Sequence, residues 1–174
     1  MHKKKILNVG ILTASDRSSR GERADLSGPA LVEMMREKGW HVAETLIVPD
    51  DVDILRDTLI LWADSGDVDL ILTTGGTGFA PRDLTPEATR LVVDKLAPGL
   101  TEAMRAESLK ITPHAMLSRA VAGIRGRVLI INLPGSPKAA RENLQIVFPV
   151  LKHAVQLLQD DPAAESGHHH ESEK

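Results

Sequence analysis

The chain has 174 residues, a formal charge of −3 and a hydrophobic share of 42%, almost wholly aliphatic, with two Trp, two Phe and no Tyr. That length suits one domain with a real core, and the aliphatic bias suits a parallel sheet covered by helices. Sparse aromatics and the lack of a basic field argue against a nucleic-acid partner. The absence of cysteine excludes disulfides, thiolate metal sites and Cys nucleophiles, and fits a reducing cytoplasm. No apolar run approaches the roughly 20 residues of a membrane span.

In chain order, the basic start "MHKKK" reads as a solvated cap on a first strand, not as a signal peptide. The near-continuous β-prone run 6–15, "ILNVGILTAS", is that strand. A polar loop leads to a helix over 29–38 with Ala30, Leu31, Met34 and Met35 as its apolar stripe. A second strand over 41–49 follows, then a helix with apolar residues at 52, 55, 59 and 62. The third strand is "VDLILTTG" (68–75), and Thr85-Pro86 opens a helix reaching residue 96, with Thr85 as its cap. Another helix follows Pro98, and 118–134 reads as a short strand, a turn and a long buried strand. The last helix buries positions 140, 144, 147, 148, 151, 155 and 158 and should kink at Pro149. The predicted fold is a single three-layer α/β/α domain over 1–160 with a mostly parallel sheet, and 161–174 is a polar, disordered tail.

In such folds ligands bind beyond the carboxyl ends of the strands. Three strand exits share one character: "TASDRSSRGERADLSG", "TTGGTGFAPRD" and "NLPGSPKA" each lead to a helix start, where free amides favour anions. The glycine loop is neither a P-loop, lacking the Lys and Ser/Thr, nor a dinucleotide fingerprint, since Pro81 stands where its third Gly belongs. If the first, third and last strands are neighbours, the three mouths form one crevice. With Arg17, Arg82 and Lys138 it would suit a ligand carrying several phosphates. Asp16, Asp50 and Asp83 stand at the same edge, and carboxylates among phosphates make sense chiefly around a cation, usually Mg²⁺.

Each residue also has a plainer reading. Asp50 or Asp51 could simply cap the helix at Val52, and Asp83 could be an Asx-turn residue. Arg17 and Arg82 could be solvated, and Gly75, Gly76 and Gly78 could serve only tight turns. Ser136 before Pro137 is a good N-cap whether or not anything binds. His41, His114 and His153 lack ligand spacing, and the histidines at 168–170 read as adventitious metal uptake or an engineered remnant.

Taken together, "TTGGTGFAPRDLTPEAT", "LTASDRSSRGERADLSGPAL" and "LPGSPKA" closely resemble the MogA/MoaB family of molybdenum-cofactor biosynthesis proteins, whose domain also occurs in gephyrin. The likeness runs from about residue 6 to 159. Relatives of the CinA type and the MoeA central domain share the glycine loop but lack the early "SDR", here Ser15, Asp16 and Arg17, and the pattern from Gly28 to Leu31.

The resemblance implies a molybdopterin adenylyltransferase using ATP, molybdopterin and Mg²⁺ and releasing pyrophosphate. It further implies a homotrimer and a hand-over to a MoeA-type molybdenum insertase. It makes Asp50 and Asp83 the essential, metal-holding pair. It places Thr74, Gly75, Gly76, Thr77 and Gly78, together with Pro134, Gly135, Ser136 and Pro137, in the pterin and nucleotide site. Ser118 in "LSRA" matches a site-lining position, and Phe79 departs from some relatives. Two rival readings remain at this point: a non-catalytic trimeric pterin carrier of the MoaB type, and CinA-like pyrophosphate hydrolysis.

Overall fold

The computed structural model describes residues 6–162 and 164. Its strands are β1 (Asn8–Ala14), β2 (His41–Val48), β3 (Leu70–Thr74), β4 (Lys95–Leu96), β5 (Ala122–Arg125) and β6 (Val128–Leu133). Its helices are α1 (Asp16–Ser19), α2 (Ser27–Glu37), α3 (Val52–Ser65), α4 (Thr85–Val92), α5 (Pro98–Leu109) and α6 (Pro137–Leu158), with a 3₁₀ turn at Pro113–Leu117. The sheet order is β2-β1-β3-β6-β5-β4. The first four strands in that order run parallel, β5 is antiparallel to β6, and β4 is antiparallel to β5.

Side chains alternate across a strand, so each buried strand feeds two cores. On one face Val9, Ile11, Leu70, Leu72, Leu129 and Ile131 pack with Leu31, Met35, Leu144 and Leu151 of α2 and α6. On the other face Leu12, Ile71 and Ile130 meet Leu55, Leu59 and Trp62 of α3 and Ala88 and Val92 of α4. Trp62 lies so close over β1 that a Cβ on Gly10 would come within 2.8 Å of its ring. The three-layer prediction therefore holds, as do the apolar stripes of the helices at 29–38, 52–62 and 140–158.

Three local expectations need correction. The helix expected to reach residue 96 ends at Val92, and Lys95–Leu96 joins the sheet instead. The open edge of β5 takes this segment: Asp94 N donates to Ile124 O at 2.7 Å and Ala97 N to Ala122 O at 2.8 Å. Thr85 does not cap α4, because its hydroxyl donates to Gly75 O at 2.9 Å. The tail does not leave the fold at once. Asp161 N donates to Gln156 O, and Ala164 is buried. The rest of the tail, including the histidines at 168–170, lies outside the described residues, as does the lysine cap. Pro149 sits inside α6 on its exposed side, and α6 is a single helix from Pro137 to Leu158.

Candidate active site

Because β1, β3 and β6 are neighbours, the loops leaving them meet at one end of the sheet. They are locked together by backbone contacts that only glycine permits. Gly75 has φ +94°, and a Cβ there would stand 2.3 Å from Ala14 O of the first loop. Its amide donates to Leu133 O at 3.2 Å, and Thr74 Oγ1 donates to Pro134 O at 2.7 Å. A Cβ on Gly135 would fall 3.2 Å from Gly75 Cα. The amides of Gly76, Thr77 and Gly78 find no acceptor among the described residues, so the loop does present donors for an anion.

Two cavities flank this loop. A crevice of about 830 Å³ is lined by Ser15, Asp16, Arg17, Asp50, Thr74, Gly75, Gly76, Arg82 and Asp83, with Gly135 and Ser136. Thr77, Gly78, Ser118 and Pro134 instead line a second cavity of about 290 Å³, closed by Ile111, Leu117 and Asn143. Lys138 lines neither. Its side chain is 82% exposed and faces Glu142 at 3.8 Å, so its expected place among the phosphate contacts is not supported.

The two aspartates expected to act together share the crevice. Capping of α3 falls to Asp51, whose Oδ1 accepts from Asp53 N and Ile54 N at 3.0 Å each, and this leaves Asp50 free for other work. Asp50 exchanges bonds with Asp16. Asp16 N donates to Asp50 Oδ2 at 2.8 Å, and Asp50 N donates to Asp16 Oδ1 at 3.1 Å. Asp50 Oδ1 accepts no hydrogen bond from a described residue, and a Cβ on Gly76 would stand 3.1 Å from it. Asp83 Oδ2 accepts from Ala80 N at 2.8 Å, three residues back and so not the forward bond of an Asx turn, and a Cβ on Gly78 would approach that oxygen to 2.9 Å. Both carboxylates thus border the same glycine loop. Burial pushes the Asp50 carboxyl up from the ordinary aspartate range, and the charges of Asp16 and Asp83 add to this against the Asp16 amide.

Arg82 spans the crevice mouth. Its guanidinium grips the Asp16 carboxylate through two nitrogens and donates to Asp50 O at 2.9 Å. That pairing holds the Asp16 carboxyl below its usual range. Arg82 is therefore a latch between two loops, and Arg17 is the predicted cation that carries no ion pair among the described residues. Behind the loop stands Arg119, which the sequence reading missed although it follows Ser118. Its backbone N donates to Thr77 O at 2.9 Å, and its side chain donates to Gly78 O at 2.7 Å and Asp83 O at 2.5 Å. Glu87 accepts from Nη1 and also from the Nη2 that reaches Asp83 O. Arg105 similarly reaches Ser118 O at 3.5 Å and Ala120 O at 3.3 Å beside the second cavity. No sequence pattern signals such side-chain partners, because they lie 13 to 41 residues away.

Residues 10–153 match the family described as "Probable molybdopterin binding domain". The chain belongs to this family. It is 49% identical to a molybdopterin adenylyltransferase of Helicobacter pylori over 87% of this chain and 88% of that protein. It is 45% identical to gephyrin of Dictyostelium discoideum over 94% of this chain but only 24% of that much longer protein. Among solved structures, the molybdopterin biosynthesis enzyme MoaB of Thermus thermophilus superposes with a TM-score of 0.85 at 54% identity, covering 90% of this chain and 99% of that one. These likenesses agree with the predicted family and with the α/β fold.

Proposed function

We propose that this chain is a molybdopterin adenylyltransferase that transfers AMP from ATP to the terminal phosphate of molybdopterin and releases pyrophosphate. The observation that carries the reading is the convergence of Asp50 and Asp83 on one glycine loop in which the amides of Gly76, Thr77 and Gly78 lack acceptors among the described residues. The nucleophile is a phosphate monoester with a second pKa of about 6, so it is largely dianionic near neutrality and needs no general base. Accordingly, among the described residues, no histidine lines the crevice.

Two carboxylates fit Mg²⁺, which takes one or two from protein and completes its shell with water and phosphate oxygens. No group of three or more His, Cys, Asp or Glu able to hold a metal occurs among the described residues. Asp50 and Asp83 would hold the ion, Asp50 through the oxygen that Asp16 leaves free. When bound, it supplies charge neutralisation between the two phosphates. The loop amides and Arg17 orient the anions, and Arg82 and Asp16 fix Asp50.

We further propose a homotrimer, a cytoplasmic setting and delivery of the adenylylated product to a MoeA-type insertase, all on family likeness. Purified protein given molybdopterin, ATP and Mg²⁺ should release pyrophosphate in step with adenylylated pterin. Pterin binding without Mg²⁺-dependent ATP affinity would make it a carrier instead, and turnover of nucleotide alone would make it a hydrolase.

A further inference from the structure

We infer that the first loop builds a subsite for the pyrophosphate leaving group from Arg17, Arg23 and the Ser18 hydroxyl; this rests on the adenylyl-transfer reading and adds a second anion position to it. All three residues line the large crevice, and neither Arg23 nor Ser18 was singled out by sequence. The arginines around this end of the sheet divide sharply. Arg20 is bound to Glu22, Arg82 to Asp16 and Arg119 to Glu87. The side chains of Arg17 and Arg23 form no hydrogen bond or ion pair with any described residue, although both stand at the crevice wall.

Ser18 supplies an independent sign. It is 9% exposed, and its Oγ is buried without a hydrogen-bond partner among the described residues. A buried hydroxyl left unsatisfied is costly and rare, and a ligand oxygen is one explanation. The loop that carries these groups is fixed in advance. Ser15 Oγ accepts from Ser18 N at 3.1 Å, Glu22 N donates to Arg17 O at 2.9 Å, and Gly21 N donates to Ser18 O at 3.1 Å. Asp25, the nearby carboxylate in the wall, accepts from Thr13, Ser27 and Gly28, which fixes its oxygens toward α2.

The chemistry calls for such a position. As an oxygen of the molybdopterin phosphate bonds to the α-phosphorus of ATP, the bond from that phosphorus to the β-bridging oxygen breaks. The electron pair stays on that oxygen, which becomes a terminal oxygen of pyrophosphate. Negative charge grows on the leaving group, where unpaired guanidiniums are worth most.

The test is calorimetric titration of the full chain with inorganic pyrophosphate in Mg²⁺, with AMP as the control ligand. The Arg17→Ala/Arg23→Ala double variant should bind pyrophosphate about tenfold more weakly or worse, with AMP affinity changed less than about twofold. Ser18→Ala should weaken pyrophosphate by a smaller factor in the same direction. Unchanged pyrophosphate affinity in the double variant, an equal loss for AMP, or no pyrophosphate binding by the parent chain would overturn the inference. Wild-type product formation separates the two ideas. If adenylylated pterin forms while the arginine variants bind pyrophosphate normally, only the subsite is wrong. If no product forms, the activity reading fails as well.

Discussion

The two ends of the sheet both carry cavities of similar size, about 830 Å³ at the carboxyl ends and about 690 Å³ at the amino ends, yet they differ in how their charges are matched. At the amino ends Asp69 accepts from Asn8 N at 2.8 Å and Gln159 Nε2 at 2.5 Å. Arg127 meets Asp160 there, and Arg125 holds Asp64. At the carboxyl ends, among the described residues, Asp50 keeps an oxygen free, three loop amides lack acceptors, and the side chains of Arg17 and Arg23 and the Ser18 hydroxyl stand without partners. Hollow space is therefore a poor guide to function in this fold. Polar groups held in place without partners are the better guide, because stability alone favours pairing them.

Variants can break this contrast from either side. Asp83→Asn or Asp50→Asn should lower kcat for AMP transfer by about 10³-fold, read as pyrophosphate release, because charge neutralisation is lost in the transition state. Gly75→Ala should destabilise the fold by about 2–4 kcal/mol in urea titration, since its methyl group meets Ala14 O. Gly39→Ala, also at positive φ but with open space around it, should cost only about 1 kcal/mol.

Arg119→Ala frees the glycine loop from behind, and we expect kcat/KM to fall about 30-fold, with Lys restoring only part because it lacks the planar fork. At the amino ends the opposite pattern should appear. Asp69→Ala leaves the Asn8 amide unsatisfied and should cost about 2 kcal/mol of stability, with kcat within about twofold of the parent.

The smallest effect sharpens the comparison most. The Asp50 carboxyl titrates above its ordinary value of 3.8, so its charged form is disfavoured by the fold. That penalty is absent below the ordinary value and grows as pH rises through the raised one. Asp50→Asn should therefore raise Tm slightly at neutral pH in differential scanning calorimetry, and the gain should vanish in acid.

Much of this arrangement is legible in the residues. Continuous aliphatic runs mark β1, β3 and β6 as buried strands, and the loops after them advertise a crevice once those strands are adjacent. The rest depends on pairings that no local pattern encodes. Whether Asp50 or Asp51 caps α3 turns on a one-residue offset in the approach to the helix. Arg82 finds Asp16 across 66 residues, so an apparent phosphate contact is a latch. Lys138 stands on α6 beside the right loop but points to Glu142. Residues 93–97 carry a plausible helical pattern, and the open edge of β5 claims them.

Mg²⁺-dependent ATP binding, measured by calorimetry on the parent chain, Asp50→Asn, Asp83→Asn and the double variant, bears most directly on the claim that these two carboxylates serve one ion. The account predicts ATP affinity that needs Mg²⁺, is lost in either single variant, and falls no further in the double variant, because one ion can be lost only once. Independent, additive losses, or full Mg²⁺-dependent affinity in either single variant, would contradict it.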